Sequence, residues 1–517
     1  MANESPSEVT PDVSSVTEEP DYVATERVTV EDAPLANDSF EPDGLIQGLI
    51  SMEITDTKTF ELGAQGVDYL MRSANVKDLD GDGFAEIAVT ITTYPGQLPQ
   101  PIMILGARGE EITDLTQELF PKGVPTVRHS PYIFFPDLNA DGRADILFAD
   151  AGMDEEPYTG SKPGIALQNV DGTFTDVSSQ IPEEFWETRS YAIAAGDLDG
   201  NGLSEVLLPD QSNGKNTAAI TWDNESFTVN RDWIPQELWS GSGQLASHLN
   251  LFIEDMDEDG WQDLIVGGNS SSPNLRIAFG GPKGFSAKNI LTLPDGIFGH
   301  FDWNAWNEGM LSTMQGTEMI GMIVQDFNND GLKDIFLLQE QDNQYKPGAI
   351  SDELVPDFQK IHDEGGRFFG QTAFNVFINQ GNRKFTDVTA EDTPLLGHRY
   401  YLSHVPADLN GDGFLDIVAG YWSKFYANKT EEPLGGTTVF LNDGMGDFRA
   451  VEGSALFPTR GIAGVSSQQL GIFVPTYQAA DRLEGLFIAS ESDGKSGTLT
   501  VHKAVHEGAV TIPTMYH

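Results

Sequence analysis

Six segments of this chain repeat one acidic pattern: DLDGDGFAE at Asp78 to Glu86, DLNADGRAD at Asp137 to Asp145, DLDGNGLSE at Asp197 to Glu205, DMDEDGWQD at Asp255 to Asp263, DFNNDGLKD at Asp326 to Asp334 and DLNGDGFLD at Asp408 to Asp416. Their first residues lie 59, 60, 58, 71 and 82 positions apart. That period is too long for a solenoid repeat of one or two elements. It suits one four-stranded propeller blade with loops of variable length.

Oxygen-bearing side chains recur at positions 1, 3, 5 and 9, and a Gly follows position 5. A short loop wraps a hard cation in this way, with carboxylates and carboxamides converging while Gly turns the backbone. The candidate side-chain ligands are Asp78, Asp80, Asp82 and Glu86; Asp137, Asn139, Asp141 and Asp145; Asp197, Asp199, Asn201 and Glu205. In the later copies they are Asp255, Asp257, Asp259 and Asp263; Asp326, Asn328, Asp330 and Asp334; Asp408, Asn410, Asp412 and Asp416. The main-chain carbonyls of Phe84, Arg143, Leu203, Trp261, Leu332 and Phe414 are the fifth donors. Asn in place of Asp keeps an oxygen and removes a charge, so affinity should vary between copies. The chain has no Cys and no His within a repeat, which disfavours structural zinc and soft transition metals. Several protein oxygens on a flexible loop fit calcium better than magnesium, so up to six structural Ca2+ ions are expected. One such segment would read equally well as an Asx-rich turn; six with the same spacing do not. A seventh, eroded copy places Tyr477, Ala479, Asp481 and Gly485 at positions 1, 3, 5 and 9. Only Asp481 remains as a ligand there, so a strand is expected without a metal.

Apolar runs of strand length flank each acidic segment, such as YIFF before the second copy and ILFA after it. Further downstream each period holds a second pair of strands around a polar turn, as in GIALQNVDGTFTDVS at 164–178 or TVFLNDGMGDFRAVE at 438–452. Two hairpins per period predict an all-β, seven-bladed β-propeller of four-stranded antiparallel blades. The last repeat supplies three strands, near 465–475, 485–490 and 497–505. A strand near Lys58 to Leu62 is expected to complete it and close the ring, since an open array would leave an apolar edge. The domain reading is a flexible acidic arm over 1–43, a propeller over 44–508 with insertions near 340–372 and 421–436, and a tail over 509–517. The arm carries 12 acidic residues against the single Arg27.

The net charge is −51, from 80 acidic and 29 basic residues. Six calcium ions would still leave about −39, so most of the acidity coats the surface and repels nucleic acid and anionic membrane. No apolar segment is long enough for a membrane span, and the N-terminus lacks the basic and apolar regions of a secretory leader. Either the chain stays inside a cell or its leader is missing from this sequence.

With loops, blades and closure placed, the DxDxDG segments and the DI(V/L) strands after them resemble the FG-GAP/VCBS repeats of the integrin-alpha-type seven-bladed propeller, over roughly residues 45–508. The resemblance implies calcium between the first and second strands of a blade, on the face opposite the usual ligand surface. It also implies a protein of the cell surface, the extracellular space or the periplasm. The family includes adhesion modules, lectins and domains attached to enzymes, so fold does not fix function.

Segments leading into the innermost strands must lie at the end opposite the acidic loops. They are rich in Arg, His and aromatics: Arg72; Arg128 and His129; Trp186, Arg189 and Tyr191; His248; His300, Trp303 and Trp306; Arg399, Tyr400, Tyr401 and His404. Such residues around one axis would suit an acidic sugar, with Arg on the carboxylate and rings on the pyranose. Packing against neighbouring blades is the competing role for each. The insertions add Tyr345, His362, Arg367, Phe368 and Phe369, and the segment YWSKFYANKTEEPLGG. No nucleophile elbow, phosphate loop or zinc signature is present. The leading function is a non-catalytic binding module for a glycan or an extracellular protein. One alternative is a polysaccharide lyase acting on a uronate polymer, with Arg189, Tyr191, His129, His248 and His404 as catalytic candidates. Another is an architectural surface protein. Ligand identity and oligomeric state stay open.

Overall fold

Local turn chemistry and apolar runs build seven antiparallel blades, each of four strands. The computed structural model describes residues 52–108, 111–153, 157–210, 217–223, 225–234, 248–269, 274–346, 367–389, 395–397, 399–422, 435–452, 470–479, 482–492 and 495–507. Blade 1 runs Asp68–Lys77, Glu86–Tyr94, Met103–Arg108 and Glu111–Asp114; blade 2 runs Ile133–Phe134, Ile146–Phe148, Gly164–Gln168 and Phe174–Asp176. Blade 3 comprises Ala194–Gly196, Glu205–Leu208, Ala218–Asp223 and Ser226–Asn230. Blade 4 comprises His248–Glu254, Asp263–Gly268, Asn274–Ala278 and Ile290–Asp295. Blade 5 holds Thr313–Gln325, Asp334–Tyr345, Arg367–Asn379 and Phe385–Asp387, and blade 6 holds Tyr400–Ala407, Asp416–Trp422, Gly435–Asn442 and Phe448–Glu452.

Blade 7 takes three strands from the end of the chain, Leu470–Ala479, Arg482–Ser492 and Gly497–Glu507. Its fourth is Glu53–Gly63, which pairs with Gly497–Glu507 from Glu53 opposite Val505 to Gly63 opposite Gly497. The strand expected near Lys58 to Leu62 is therefore present and closes the ring.

The second strand of each blade has neighbours on both faces, and its sequence shows it. Asp263–Gly268 is buried along its whole length, as are Ile146–Phe148 and Glu205–Leu208. Hence these strands read as continuous apolar runs rather than alternating ones. Six apolar clusters lie between successive blades, joining blades 1 and 2, 2 and 3, 3 and 4, 4 and 5, 5 and 6, and finally 6, 7 and 1. The core is thus a circuit of interblade layers rather than one central mass.

Two short helices, Thr116–Leu119 and Trp303–Asn307, were not anticipated. The second is capped by the Asp302 side chain, which accepts from Ala305 N. The acidic arm over 1–43, the tail over 509–517, Asp481, His362 and most of both insertions lie outside the described residues. So do the side chains of His248, Tyr345, Arg367, Phe368 and Phe369.

Candidate functional site

All six acidic segments connect the first strand of a blade to its second, so they share one end of the ring. Each loop is held by nearly the same set of bonds from main-chain N–H groups to its own side chains, the first and sixth copies using the Gly at position 4 where the others use position 5. In the fifth copy, Asp326 accepts from Asp330 N and Gly331 N, Asn328 accepts from Asp330 N, and Asp330 accepts from Leu332 N. The Gly at position 6 needs a left-handed backbone, with φ of 91° at Gly83 and 96° at Gly331, which a side chain would strain. These bonds spend part of the acceptor capacity of positions 1, 3 and 5 and aim what remains inward.

Carboxylate oxygens of Asp78, Asp80 and Glu86 come within 4.8 Å of one another, as do those of Asp197, Asp199 and Glu205 and those of Asp255, Asp257 and Asp259. Beside the third loop lies a hollow of about 160 Å3, lined by Asp199, Asn201, Glu205 and Asp223 among others. An all-oxygen donor set around such a space fits a hard divalent cation. In the copies with Asn139, Asn328 and Asn410, a carboxamide replaces one of the converging charges.

Position 9 has a second task that the spacing alone does not reveal. Its carboxylate is buried in every copy, at 0–4 % exposure. In the four copies with Asp there, both oxygens accept main-chain N–H groups, one from position 2 and one from the third strand or, with Gly280 in the fourth copy, from just beyond it. Asp334 takes Phe327 N at 3.0 Å and Asn379 N at 2.8 Å; Asp416 takes Leu409 N and Asn442 N, each at 2.9 Å. Burial pushes these acids up, to about 7 for Glu86, Asp263, Asp334 and Asp416 and to about 6 for Asp145. The donated N–H groups oppose that rise, and the neighbouring loop carboxylates add to it.

The third-strand residues also link one loop to the next. Asn379 and Asn442 donate their side-chain amides to Met256 O and Phe327 O, each at position 2 of the preceding blade's loop, and Gln168 donates to Leu79 O. Arg383, from the outer turn of blade 5, places Nε 2.5 Å from Asp257 Oδ2 and Nη2 3.5 Å from Asp259 Oδ2 in the loop of blade 4. A built-in cation thus leans on two candidate ligands of that copy. Blade 7 has Gly485 where the other blades have the buried acid. It carries instead an ion pair between Lys503 and Glu484 at 3.0 Å, both side chains 3 % exposed.

At the opposite end, five of the expected residues meet. Arg72 Nε donates to His129 Nε2 at 3.0 Å, and the guanidinium carbon lies 5.8 Å from the Tyr400 ring centroid. Because Nε2 accepts, His129 is neutral with its proton on Nδ1, which donates to Tyr94 OH at 3.2 Å. The His129 ring meets Tyr191 edge to face at 5.6 Å, and Arg189 Nη2 donates to Tyr191 OH at 3.0 Å while lying over Tyr158. The innermost strands of blades 1 and 6 also touch directly, Ser403 Oγ donating to Ala74 O at 3.0 Å, so Arg72 and Tyr400 meet where these strands adjoin. Arg72 occupies a β-bulge between Met71 and Ser73. Equivalent bulges fall at Leu249, Ile320 and Leu402, each six residues ahead of its acidic loop. Bulges redirect a side chain, and of these four only Arg72 is charged.

Below this group Tyr132 plugs the channel. Its hydroxyl donates to Asn250 Oδ1 in blade 4, and its ring meets His404 of blade 6 at 6.3 Å. His404 Nε2 donates to Met322 O at 3.1 Å, and burial pulls the imidazole down to about 4. Accordingly His404 belongs to the plug and does not join His129, Arg189 and Tyr191. Other candidates turn elsewhere: Arg128 bonds Gln97 O, Arg399 stacks on Tyr421, and Tyr401 is buried between blades 5 and 6. Trp186 donates to Ile181 O, while Trp303 and Trp306 sit on the short helix beside the exposed His300. Tyr94, Tyr132 and Tyr158 were missed. Tyr132 had a readable signal, since Ser73, Ala192, Asn250, Gly321 and Ser403 fill its position in the other copies, all smaller.

The FG-GAP-like repeat family matches residues 137–208 and 326–419. "Integrin alpha pat-2" of Caenorhabditis briggsae is 22% identical over 239 residues, 41% of this chain and 19% of that protein, so the chain spans about a fifth of that relative's length. Among solved structures, a mutant of AofleA from Arthrobotrys oligospora covers 77% of this chain and 90% of its own, at 7% identity and a TM-score of 0.34. The S. cerevisiae core factor covers 87% and 61%, at 11% identity and the same TM-score. Both are too distant to bear on function. No helix of the described residues is long and apolar enough to cross a membrane. Acidic repeats seated between the first and second strands of six blades, on a ring closed by both ends of the chain, make this a seven-bladed β-propeller whose repeats are similar to those of the FG-GAP-like family and of an integrin alpha chain.

Proposed function

We propose that the protein is a calcium-stabilised binding module that engages a glycan or an extracellular protein through the end of the ring opposite its acidic loops. The observation that carries this reading is the polarity of the ring. One end gathers carboxylates around small hollows, and the other gathers Arg72, His129, Arg189, Tyr191 and Tyr400 from neighbouring blades. Positions 1, 3, 5 and 9 with the carbonyl at position 7 would hold the cation, and the buried position 9 also ties the loop to its blade. Calcium would supply the positive charge that lets clustered carboxylates stay ionised while partly buried. Its role is structural. Likeness to an integrin alpha chain supports a surface or extracellular setting and a macromolecular partner.

The test pairs two measurements on the full chain. Calorimetric titration of the chelated protein should show several calcium-binding events. A glycan array and an extracellular-protein panel, read with calcium present, should yield a ligand that Tyr191→Ala weakens. Silence on both panels would refute the module.

One arrangement favours a second reading. Arg189 and Tyr191 adjoin His129, so three of the five lyase candidates share a site. An arginine against a uronate carboxylate and a phenol or imidazole near its C5 proton are the parts that β-elimination needs. Ultraviolet absorbance of the unsaturated product, followed over a panel of acidic polysaccharides, decides it; no absorbance rise removes the lyase.

A further inference from the structure

Arg72 stands apart in a chain of net charge −51, because no carboxylate among the described residues pairs with it. Its Nε is spent on neutral His129, so the guanidinium is fixed in place without being neutralised. Its terminal nitrogens make no hydrogen bond to the described residues. Half-buried above the plug, they present a rigid fork of donors, the geometry that meets a carboxylate with two parallel bonds. Aromatic faces flank this fork. Tyr400 lies beside the guanidinium, Tyr191 packs on His129, and Tyr158 stands 47 % exposed at the rim.

Resting on the binding-module reading, we propose that this axial well recognises a single carboxylated pyranose, with Arg72 taking the carboxylate and the tyrosine rings taking the sugar face. Rings of this kind suit the C–H face of a pyranose. Burial holds the Tyr400 and Tyr132 phenols above their ordinary range; at Tyr400 the Arg72 charge opposes that rise and the nearby Glu340 and Glu318 carboxylates add to it. The rest of the surface is strongly acidic and would repel a polyanion along its length. The recognised unit is therefore one acidic sugar entering alone or as the end of an otherwise neutral chain.

The experiment titrates the calcium-loaded full chain with a neutral oligosaccharide ending in one glucuronate, with its glucose-ended counterpart, and with acetate. NMR or calorimetry reads the binding. The glucuronate-ended ligand should bind at least about tenfold tighter than the other two, and Arg72→Met should weaken it about ten- to a hundredfold. Arg72→Lys should recover only part of that loss, because an ammonium lacks the fork. Tyr158→Ala, at an exposed position beside Arg189, should weaken binding less. Equal binding of the neutral sugar, or indifference to Arg72→Met in a variant with wild-type melting behaviour, overturns the carboxylate assignment and leaves the module intact. Acetate binding as tightly as the glucuronate ligand overturns the sugar. Absence of binding by every probe overturns the proposal, and the array and protein panel then decide the module separately.

Discussion

Acidifying the metal-free protein from about pH 8 to about pH 6 should stabilise it, opposite to the usual behaviour of native carboxylates. Glu86, Asp263, Asp334 and Asp416 are raised by burial to about 7 from values near 4. An acid whose folded value lies above its unfolded value binds its proton more tightly in the native state. The stability it contributes is full below the unfolded value and is lost as pH climbs through the folded one. For a folded value near 7, linkage gives about 1.4 kcal/mol per group between these two pH values, hence about 5 kcal/mol for the four. At about 2.1 cal/mol/K of unfolding entropy per residue, a ring of this size should melt about 5 °C higher at the lower pH. Differential scanning calorimetry in excess chelator reads this directly. With millimolar calcium the trend should reverse, because a cation must displace those protons to bind. Replacing Asp263, Asp334 and Asp416 together by Asn should remove most of the metal-free slope. A melting temperature that does not respond to pH without metal, or a triple variant with an unchanged slope, would refute the electrostatic reasoning.

Arg383→Met should raise the affinity of the fourth loop for calcium about fivefold, since it removes a cation from Asp257 and Asp259. Calorimetric titration checks this, and an unchanged or weaker site would count against it. Asn442→Ala strands the Phe327 carbonyl and should cost about 1–3 kcal/mol in urea unfolding with calcium present; no change in midpoint would show that the interblade amide is idle. Lys503→Met leaves the buried Glu484 to its second partner, Arg482, and should cost about 1–3 kcal/mol, part of it recovered when Glu484→Gln is added. A double variant no more stable than the single would contradict that pairing.

The acidic loops, their placement between first and second strands, and the closing strand were legible because each rests on local rules. Ligand spacing, a Gly with positive φ and apolar runs of strand length are all written within a few consecutive residues. The eroded copy was legible for the same reason, and its strand is Arg482–Ser492. The double duty of position 9 was not, because the second N–H it accepts comes from a residue such as Asn379, 45 positions after Asp334. Arg383 was hidden likewise, since its carboxylate partners lie 126 and 124 positions earlier, in another blade. The residue types leading into the inner strands pointed to the end of the ring opposite the acidic loops. Which of them would meet depended on ring geometry. Arg72, His129, Arg189, Tyr191 and Tyr400 converge, whereas His404 falls one layer deeper behind Tyr132, and Tyr401 turns into the interblade core.

The way the ring is fastened has a mechanical consequence. Glu53 and Val505 sit side by side at one end of the pairing, and Gly63 faces Gly497 at the other. A pull drawn through Glu53 and Glu507 would load neighbouring ends of two antiparallel strands, parting rungs singly like a zip instead of shearing all of them at once. Blade 7 is where this molecule would yield first under tension, at low force, while six blades stay stacked and their loops intact.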